Sequence, residues 1–412
     1  MKTFIGFTEA LDLTLANVAP GGTEKRPLLE AVGRILAEDL NAKVDSPSVS
    51  TSRKDGYAVF PEDLKAASPS SPVRLTLIGS LSAGDLRAVD MIRGEAVRVT
   101  TGALIPAGAD AVISEEFCRA EGSSVLCLNT AGPGRNILHR GTDVRTGEAI
   151  ASGGCELTPP LLGLIAAAGH GEVGVYRTPR AAVIATGDEV VAPGLPLPAG
   201  KLYASNMVEI GAWLLLHGIP FETAVIPDRP QAIRAAVQSR LTETDVFITS
   251  GGAWGSEKDL ILKVMADMGW TGVYHRVRMG PGKPVGFGRL DGKPFFVLPG
   301  GPPSNEMAFL QLCLPALMKM KGAKPAVFPL VSARLRDRVT GERGWTEFVH
   351  ARLEQRASGL LAVPSRLKSR LKSMAEKEAL IVIPEDREEI PAGEAVEVQV
   401  LKPMDDPRET AP

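Results

Sequence analysis

The sequence has no charge of either sign to spare: 46 basic residues face 48 acidic ones, a formal net charge of −2. So even a balance gives no bulk attraction to nucleic acid or to a membrane surface, and an anionic substrate must be caught by local groups. Cysteine is scarce, and Cys118, Cys127, Cys155 and Cys313 form no CxxC pair. That excludes a zinc ribbon and argues against a disulfide framework, and it suits a reducing cytosol. The histidines His139, His170, His217, His275 and His350 show no metal-ligand spacing. No apolar run approaches a membrane span, Leu161–Ala168 being among the longest. The N-terminal MKTFIGFTEALDL has no apolar stretch behind a basic start and does not read as a signal peptide. A cytoplasmic protein is expected. A GxxxxGK[ST] loop and a GxGxxG after a strand are both missing, which disfavours a P-loop enzyme and a Rossmann dehydrogenase.

Turn chemistry is abundant, with 43 Gly and 32 Pro in 412 residues, a length that implies two to four domains. Apolar residues recur at helical spacing over 6–38 (Leu11, Leu13, Leu15, Leu28, Leu29, Val32, Ile35) and break at Pro20-Gly21-Gly22, predicting two helices. Residues 44–139 change to short β-like runs such as Val73–Ile78, Ala96–Thr100, Ala111–Glu115 and Val125–Leu128. A helix returns over 158–169, with Pro159 and Pro160 in its first turn. The expected organisation is a helical domain (1–43 plus 140–178) split by a β-rich insert (44–139). From Arg180, strands and helices alternate to Lys321 with a hairpin signal at Asp291-Gly292, predicting a doubly wound α/β domain over 179–324. After Gly322 the pattern is β again, predicting a C-terminal barrel or sandwich over 325–412, with a frayed tail from Pro403.

In an open α/β sheet, ligands bind at the carboxyl ends of the strands. Four loops fall there. Thr186-Gly187-Asp188-Glu189 offers adjacent carboxylates of the kind Mg²⁺ prefers, though a polar turn would look the same. Ser250-Gly251-Gly252 lets backbone N–H groups approach an anion, and Glu257 and Asp259 follow at a helix start, where they either cap it or reach a metal. Pro281-Gly282-Lys283-Pro284 presents Lys283 from a stiff turn as a point charge or a solvated lysine. Leu298-Pro299-Gly300-Gly301-Pro302-Pro303-Ser304 runs into a helix whose prolines stand where N–H groups lack partners anyway, with Ser304 as a hydroxyl donor.

These loops, in this order, resemble the molybdenum-insertase family, which includes the bacterial MoeA type and the E domain of gephyrin. The resemblance covers nearly the whole chain: Gly33–Leu40 looks like the family's helix end, and Asp55-Gly56-Tyr57-Ala58-Val59, Thr101-Gly102-Ala103 with Pro106, Arg140-Gly141 with Asp143, Ser369–Met374 and Ile383-Pro384-Glu385 all have counterparts. The resemblance implies four domains: a split helical elongated domain, an inserted β-rich domain, a doubly wound molybdopterin-binding domain and a C-terminal β-barrel. It implies a homodimer with the active site between subunits, and Mg²⁺-assisted insertion of molybdate into adenylylated molybdopterin with release of AMP. An upstream pterin adenylyltransferase and downstream molybdoenzymes or chaperones are the implied partners. Asp55, Asp259 and Lys283 become catalytic candidates, Asp55 and Thr101 being contributed by the partner subunit. Asp188 and Glu189 become metal ligands. Thr101, Gly102, Thr186, Gly187, Ser250, Gly251, Gly252, Pro299, Gly300, Pro302, Ser304 and Ser369 become substrate contacts.

Several positions depart from the family pattern. Arg53 and Lys54 replace Ala-Met, Ala204 interrupts the YDTN-like segment, and Trp254 replaces a serine. Gly280 stands for a lysine, Gly301 for an asparagine, and Trp345 and His350 for arginines. Arg53, Lys54, Arg366, Lys368, Arg370 and Lys372 offer basic groups from other directions. The alternatives are a MoeA-like paralogue for a different oxyanion or pterin nucleotide, and a non-catalytic molybdopterin-binding scaffold.

Overall fold

The computed structural model describes residues 1–251, 260–324, 328–357 and 359–402, so the expectations for Gly252, Trp254, Glu257 and Asp259 lie outside the described residues. The chain forms two compact units. The first comprises Met1–Glu24, Gly33–Ala37 and Val175–Pro412, and the second Lys25–Val32 with Glu38–Gly174.

The first unit is organised by a sheet. Its strands run in the order Phe221–Ile226, Ala181–Thr186, Val246–Ser250 and Lys293–Leu298, all parallel, and continue antiparallel through Gly286–Leu290 to Thr271–Gly280. Alternate residues of each strand feed opposite faces. Ala181, Val183, Ile248 and Phe296 join a core with the helices Phe7–Ala16, Ser205–Leu216 and Pro302–Met320. Ala182, Ile184, Phe247 and Phe295 join a second core with Pro230–Gln238 and Leu260–Asp267. Helices therefore cover both faces, as the alternation predicted. The segment Pro302–Met320 widens to a π-turn over Phe309–Cys313. Pro315 lies just beyond and has no N–H to give back, and a widened turn accommodates such a residue without ending the helix.

The barrel is closed: Leu330–Leu335, Ala395–Val400, Ala379–Ile383, Thr346–Arg356 and Gly359–Pro364 each pair with the next, and the last pairs with the first. It joins the sheet by a two-rung parallel ladder, Met279 beside Thr346 and Gly280 beside Glu347.

Several expectations need correction. Residues 6–38 hold one helix, Phe7–Ala16; Thr23–Pro27 is a strand and Leu28–Ala31 a single 3₁₀ turn. Pro27 and the left-handed Gly33 (φ +69°) leave only Leu28–Val32 between them, too short to nucleate an α-helix. Leu29, counted as part of an apolar face, is 90% exposed. Nor is Gly33–Leu40 a helix end; it holds turns and short bridges. Finally, residues 1–24, expected with 140–178, belong to the sheet's unit: Lys2–Gly6 pairs in parallel with Thr271–Gly280, and Ile5 and Ala10 enter its core.

The second unit is built on a six-stranded sheet ordered Ala111–Ser114, Gly56–Val59, Glu95–Val99, Val73–Leu81, Ser124–Cys127, Cys118–Glu121. The four runs expected as strands within 44–139 are strands. The span 140–178, expected to be helical, holds one helix, Pro159–Ala167, beside short ladders such as Ala149–Ala151 with Leu40–Asn41. Left-handed glycines at 141, 147 and 154 turn the chain too often for longer helices. Among the described residues, no helix is long and apolar enough to cross a membrane.

Candidate functional site

From Ala181–Thr186 the chain moves to the outer strand Phe221–Ile226, and then returns past its start to Val246–Ser250. The loops leaving Thr186 and Ser250 therefore diverge in opposite directions, which opens a crevice at the strand ends. A cavity of about 580 Å³ lies there, lined by Thr186, Glu189, Ser250, Gly251, Gly300 and Pro302, by residues 202–207, and by Arg370 and Leu371 from the barrel's short helix.

Buried amides tie its floor together. Asn206 Nδ2 donates to Ser250 Oγ (3.1 Å) and to the Gly300 carbonyl (2.9 Å). Asn305 Nδ2 donates to the same Ser250 Oγ (3.1 Å) and to the Pro299 carbonyl (2.7 Å). Asn206 Oδ1, buried, has no partner among the described residues. Gly251 has φ +112°, and a Cβ on it would lie 2.7 Å from the Thr186 carbonyl, so only glycine brings these two strand ends this close.

The acidic loop is part of the same construction. The Thr186 hydroxyl donates to Asp228 Oδ1, and the Asp228 N–H donates to Asp188 Oδ1 at 3.3 Å. The Lys201 ammonium donates to the Asp188 carbonyl. Gly187 lies under the Glu189 carboxylate.

Other candidates are placed differently. Lys283 lies over two rings, 5.3 Å from the Phe4 centroid and 5.1 Å from that of Trp345. It lines neither this cavity nor the smaller one beside it, of about 280 Å³, bordered by Pro281, Pro303, His350, Ser365, Arg370 and Ser373. Ser304 is half-buried in the first turn of its helix. Ser369 caps Arg370–Glu376, its hydroxyl accepting from the Lys372 N–H. At Gly280, a Cβ would overlap the Glu347 carboxylate. Burial, with Glu342 nearby, raises the Glu347 carboxyl above its ordinary range.

Behind the smaller cavity is a cluster that the sequence reading missed. Lys377 donates to Glu306 Oε1, and Glu306 is 1% exposed at its side chain. Burial first, then a hydrogen bond to Glu306, pushes Glu209 up to about 9, making it the protonated member of a carboxyl pair. The Ser373 hydroxyl proton goes to Ser365 Oγ (2.9 Å), so His350 donates from Nδ1 to Ser373 Oγ (2.9 Å). His350 Nε2 then faces Glu306 Oε2 at 3.8 Å. Burial, and next the Lys377 ammonium, lower the His350 pKa. The sequence signal was there in Glu306 itself, a lone carboxylate inside the run Asn305–Ala308, all of it buried.

In the second unit, Asp55 and Thr101 come together across two loop tips. Asp55 Oδ1 accepts from the Thr101 N–H (2.6 Å) and hydroxyl (3.0 Å), which hold the Asp55 carboxyl below its ordinary range. Gly102, at φ +82°, donates to the Ser52 carbonyl (2.8 Å), and Ser52 in turn donates to the Lys54 carbonyl (2.6 Å). Arg53, Lys54, Asp55, Thr101 and Gly102 are all exposed.

Three family models match the chain in order: the MoeA N-terminal region (domains I and II) over residues 5–169, a probable molybdopterin-binding domain over 182–319, and the MoeA C-terminal region (domain IV) over 332–401. The chain is 32% identical over 378 residues to molybdopterin molybdenumtransferase 2 of Mycobacterium tuberculosis, covering 90% of this chain and 93% of the relative. It is 31% identical over 386 residues to the molybdopterin molybdenumtransferase of Haemophilus influenzae, with 92% and 94% covered. The crystal structure of the molybdopterin biosynthesis MoeA protein from Pyrococcus horikosii superposes with a TM-score of 0.83 at 33% identity, covering 97% of this chain and all (100%) of that one. With the regions in register and relatives matched nearly end to end, this chain belongs to the MoeA family of molybdopterin molybdenumtransferases.

Proposed function

We propose that this chain acts in molybdenum cofactor biosynthesis as a molybdopterin molybdenumtransferase, inserting molybdate into adenylylated molybdopterin with release of AMP. The observation that carries the reading is the strand-end cavity at the switch point of a sheet that lies within the probable molybdopterin-binding region. Its lining includes the glycine backbone of Gly251, Gly300 and Gly301, which lets an anion approach closely without a repelling charge. Asn206 and Asn305 hold the Ser250 and Gly300 loops in one geometry, so the substrate meets a pre-formed surface. Thr186, Gly187, Ser250, Gly251, Pro299, Gly300 and Pro302 serve as its contacts, with Ser304 and Ser369 at the margin.

Mg²⁺ takes one or two carboxylates and fills its shell with water and phosphate oxygens. Asp188 and Glu189 fit that demand and would hold it; among the described residues no cluster of three ligating side chains forms a dedicated cage. When bound, the ion would neutralise charge on the phosphates. Asp55 and Thr101 form a rigid, charged tip suited to completing a site in a homodimer, the arrangement proposed here. Lys283 and Asp259 remain catalytic candidates by family position.

The test is single-turnover AMP release from adenylylated molybdopterin with Mg²⁺ and molybdate. Prompt release with cofactor formation is expected. Tight nucleotide binding without release would overturn the reading and leave a binding scaffold or a paralogue for another ligand.

A further inference from the structure

The cations that the family pattern places around the oxyanion are largely spent or missing in this chain. Position 280 is glycine, and the space beside it is filled by the Glu347 carboxylate, a group that repels anions. Lys283 is engaged by the Phe4 and Trp345 rings, which stand edge to face at 5.6 Å. His350 is depressed toward its neutral form by burial and Lys377. Lys377 is itself held by Glu306. A site for a tetrahedral oxyanion still needs a donor of positive charge.

Arg370 fits that need. It lines both the larger cavity and the smaller one. Its guanidinium is exposed and has no hydrogen bond or ion pair among the described residues. The other arginines of this part of the barrel are engaged: Arg336 with Asp337, Arg352 with Glu376, and Arg366 with Asp337. A planar fork of donors, unpaired among the described residues and bordering a cavity lined by Gly251, Gly300 and Gly301, suits two oxygens of a tetrahedral anion.

We propose that Arg370 is the residue with which this chain grips the tetrahedral oxyanion of its substrate, in place of the lysine absent at 280. The inference rests on the reading of the strand-end cavity as the substrate site. The shared chemistry is a tetrahedral oxyanion, either a nucleotide phosphate or free molybdate, and Arg370 holds it bidentately.

The experiment titrates the full chain calorimetrically with AMP and, separately, with sodium molybdate, at low and high salt. Arg370→Gln is expected to weaken one of the two by about 10- to 100-fold, the range for losing a charge-assisted bidentate pair. Loss confined to AMP identifies the phosphate, and loss confined to molybdate identifies the oxometalate. Arg370→Lys keeps the charge and should recover part of the affinity but not all of it. Lys372→Gln removes an equal charge from the same short helix, away from both cavities, and should bind within about twofold of the parent. Because Arg370 has no partner to lose among the described residues, its variants should melt with the parent. The proposal is overturned if Arg370→Gln binds both probes like the parent, if Lys372→Gln loses as much, or if the parent binds neither probe. Failure of the functional reading looks different: the parent would fail to release AMP in the single-turnover assay while the Arg370 effect on anion binding persisted.

Discussion

Around Ser250, several loops are fastened by two buried asparagines, each donating to a hydroxyl and to a carbonyl. Around Asp55, two exposed loop tips are fastened by one carboxylate accepting two bonds from one threonine. The first arrangement is part of the folding core of its unit, so its members serve stability and site geometry at once. The second carries little packing, so its residues are free to answer to function alone. The contrast teaches that substitutions in the two places should separate into different phenotypes.

The largest effect is expected at the exposed tip. Asp55→Ala should lower single-turnover AMP release by about 100-fold with only a small fall in melting temperature, from the two Thr101 bonds lost at an exposed tip. A large drop in melting temperature would break the contrast. Next comes Gly251→Ala, whose Cβ meets the Thr186 carbonyl at a left-handed φ. It should lose about 2–3 kcal/mol by urea unfolding, enough to read as a shifted midpoint. Asn206→Ala strands the Gly300 carbonyl and leaves Ser250 Oγ to Asn305 alone, and about 1–2 kcal/mol is expected by the same measurement. A parent-like midpoint would show that the amide is there for ligand alone.

Acid and base sharpen the comparison further. Glu209 is raised from 4.5 to about 9, so the folded chain holds a proton that the unfolded chain gives up across that window. Stability from this group is full below 4.5 and is lost as pH rises toward about 9; Glu209→Gln should flatten that slope in a melting-temperature profile. Asp55 runs the other way, its lowered carboxyl being stabilising above the unfolded value of 3.8 and losing that effect only in stronger acid. The smallest effect belongs to Trp345→Leu, which removes one of the two rings over Lys283. It should cost about 0.5–1 kcal/mol, seen as a slight fall in melting temperature.

Much of this was legible beforehand where one residue type has one local meaning. The hairpin at Asp291-Gly292, the strand ends at Thr186 and Ser250, and the proline-led helix at Pro302 follow from turn chemistry and alternation. What misled was the run Leu28, Leu29, Val32, Ile35, whose helical spacing begins at Pro27 and is cut by the left-handed Gly33 before Ile35. What escaped notice was pairing over long sequence distances. Glu209 with Glu306 and Lys377, or Lys283 with Phe4 and Trp345, cannot be read from spacing because the partners meet only when a barrel has closed beside the sheet. Asn305 was passed over because Ser304, its neighbour, looked the more chemical of the two.

The two-rung ladder that carries Gly280 beside Glu347 has a consequence for how such sites change. A lysine introduced at 280 has to displace the Glu347 carboxylate and would then find it as a counter-ion, so each charge would cancel the other. Neither substitution gains an anion contact alone; only a lysine at 280 together with the loss of the acid at 347 does. The two positions are therefore epistatic, and a library that varies one residue at a time would pass over the route between this arrangement and a lysine-based one.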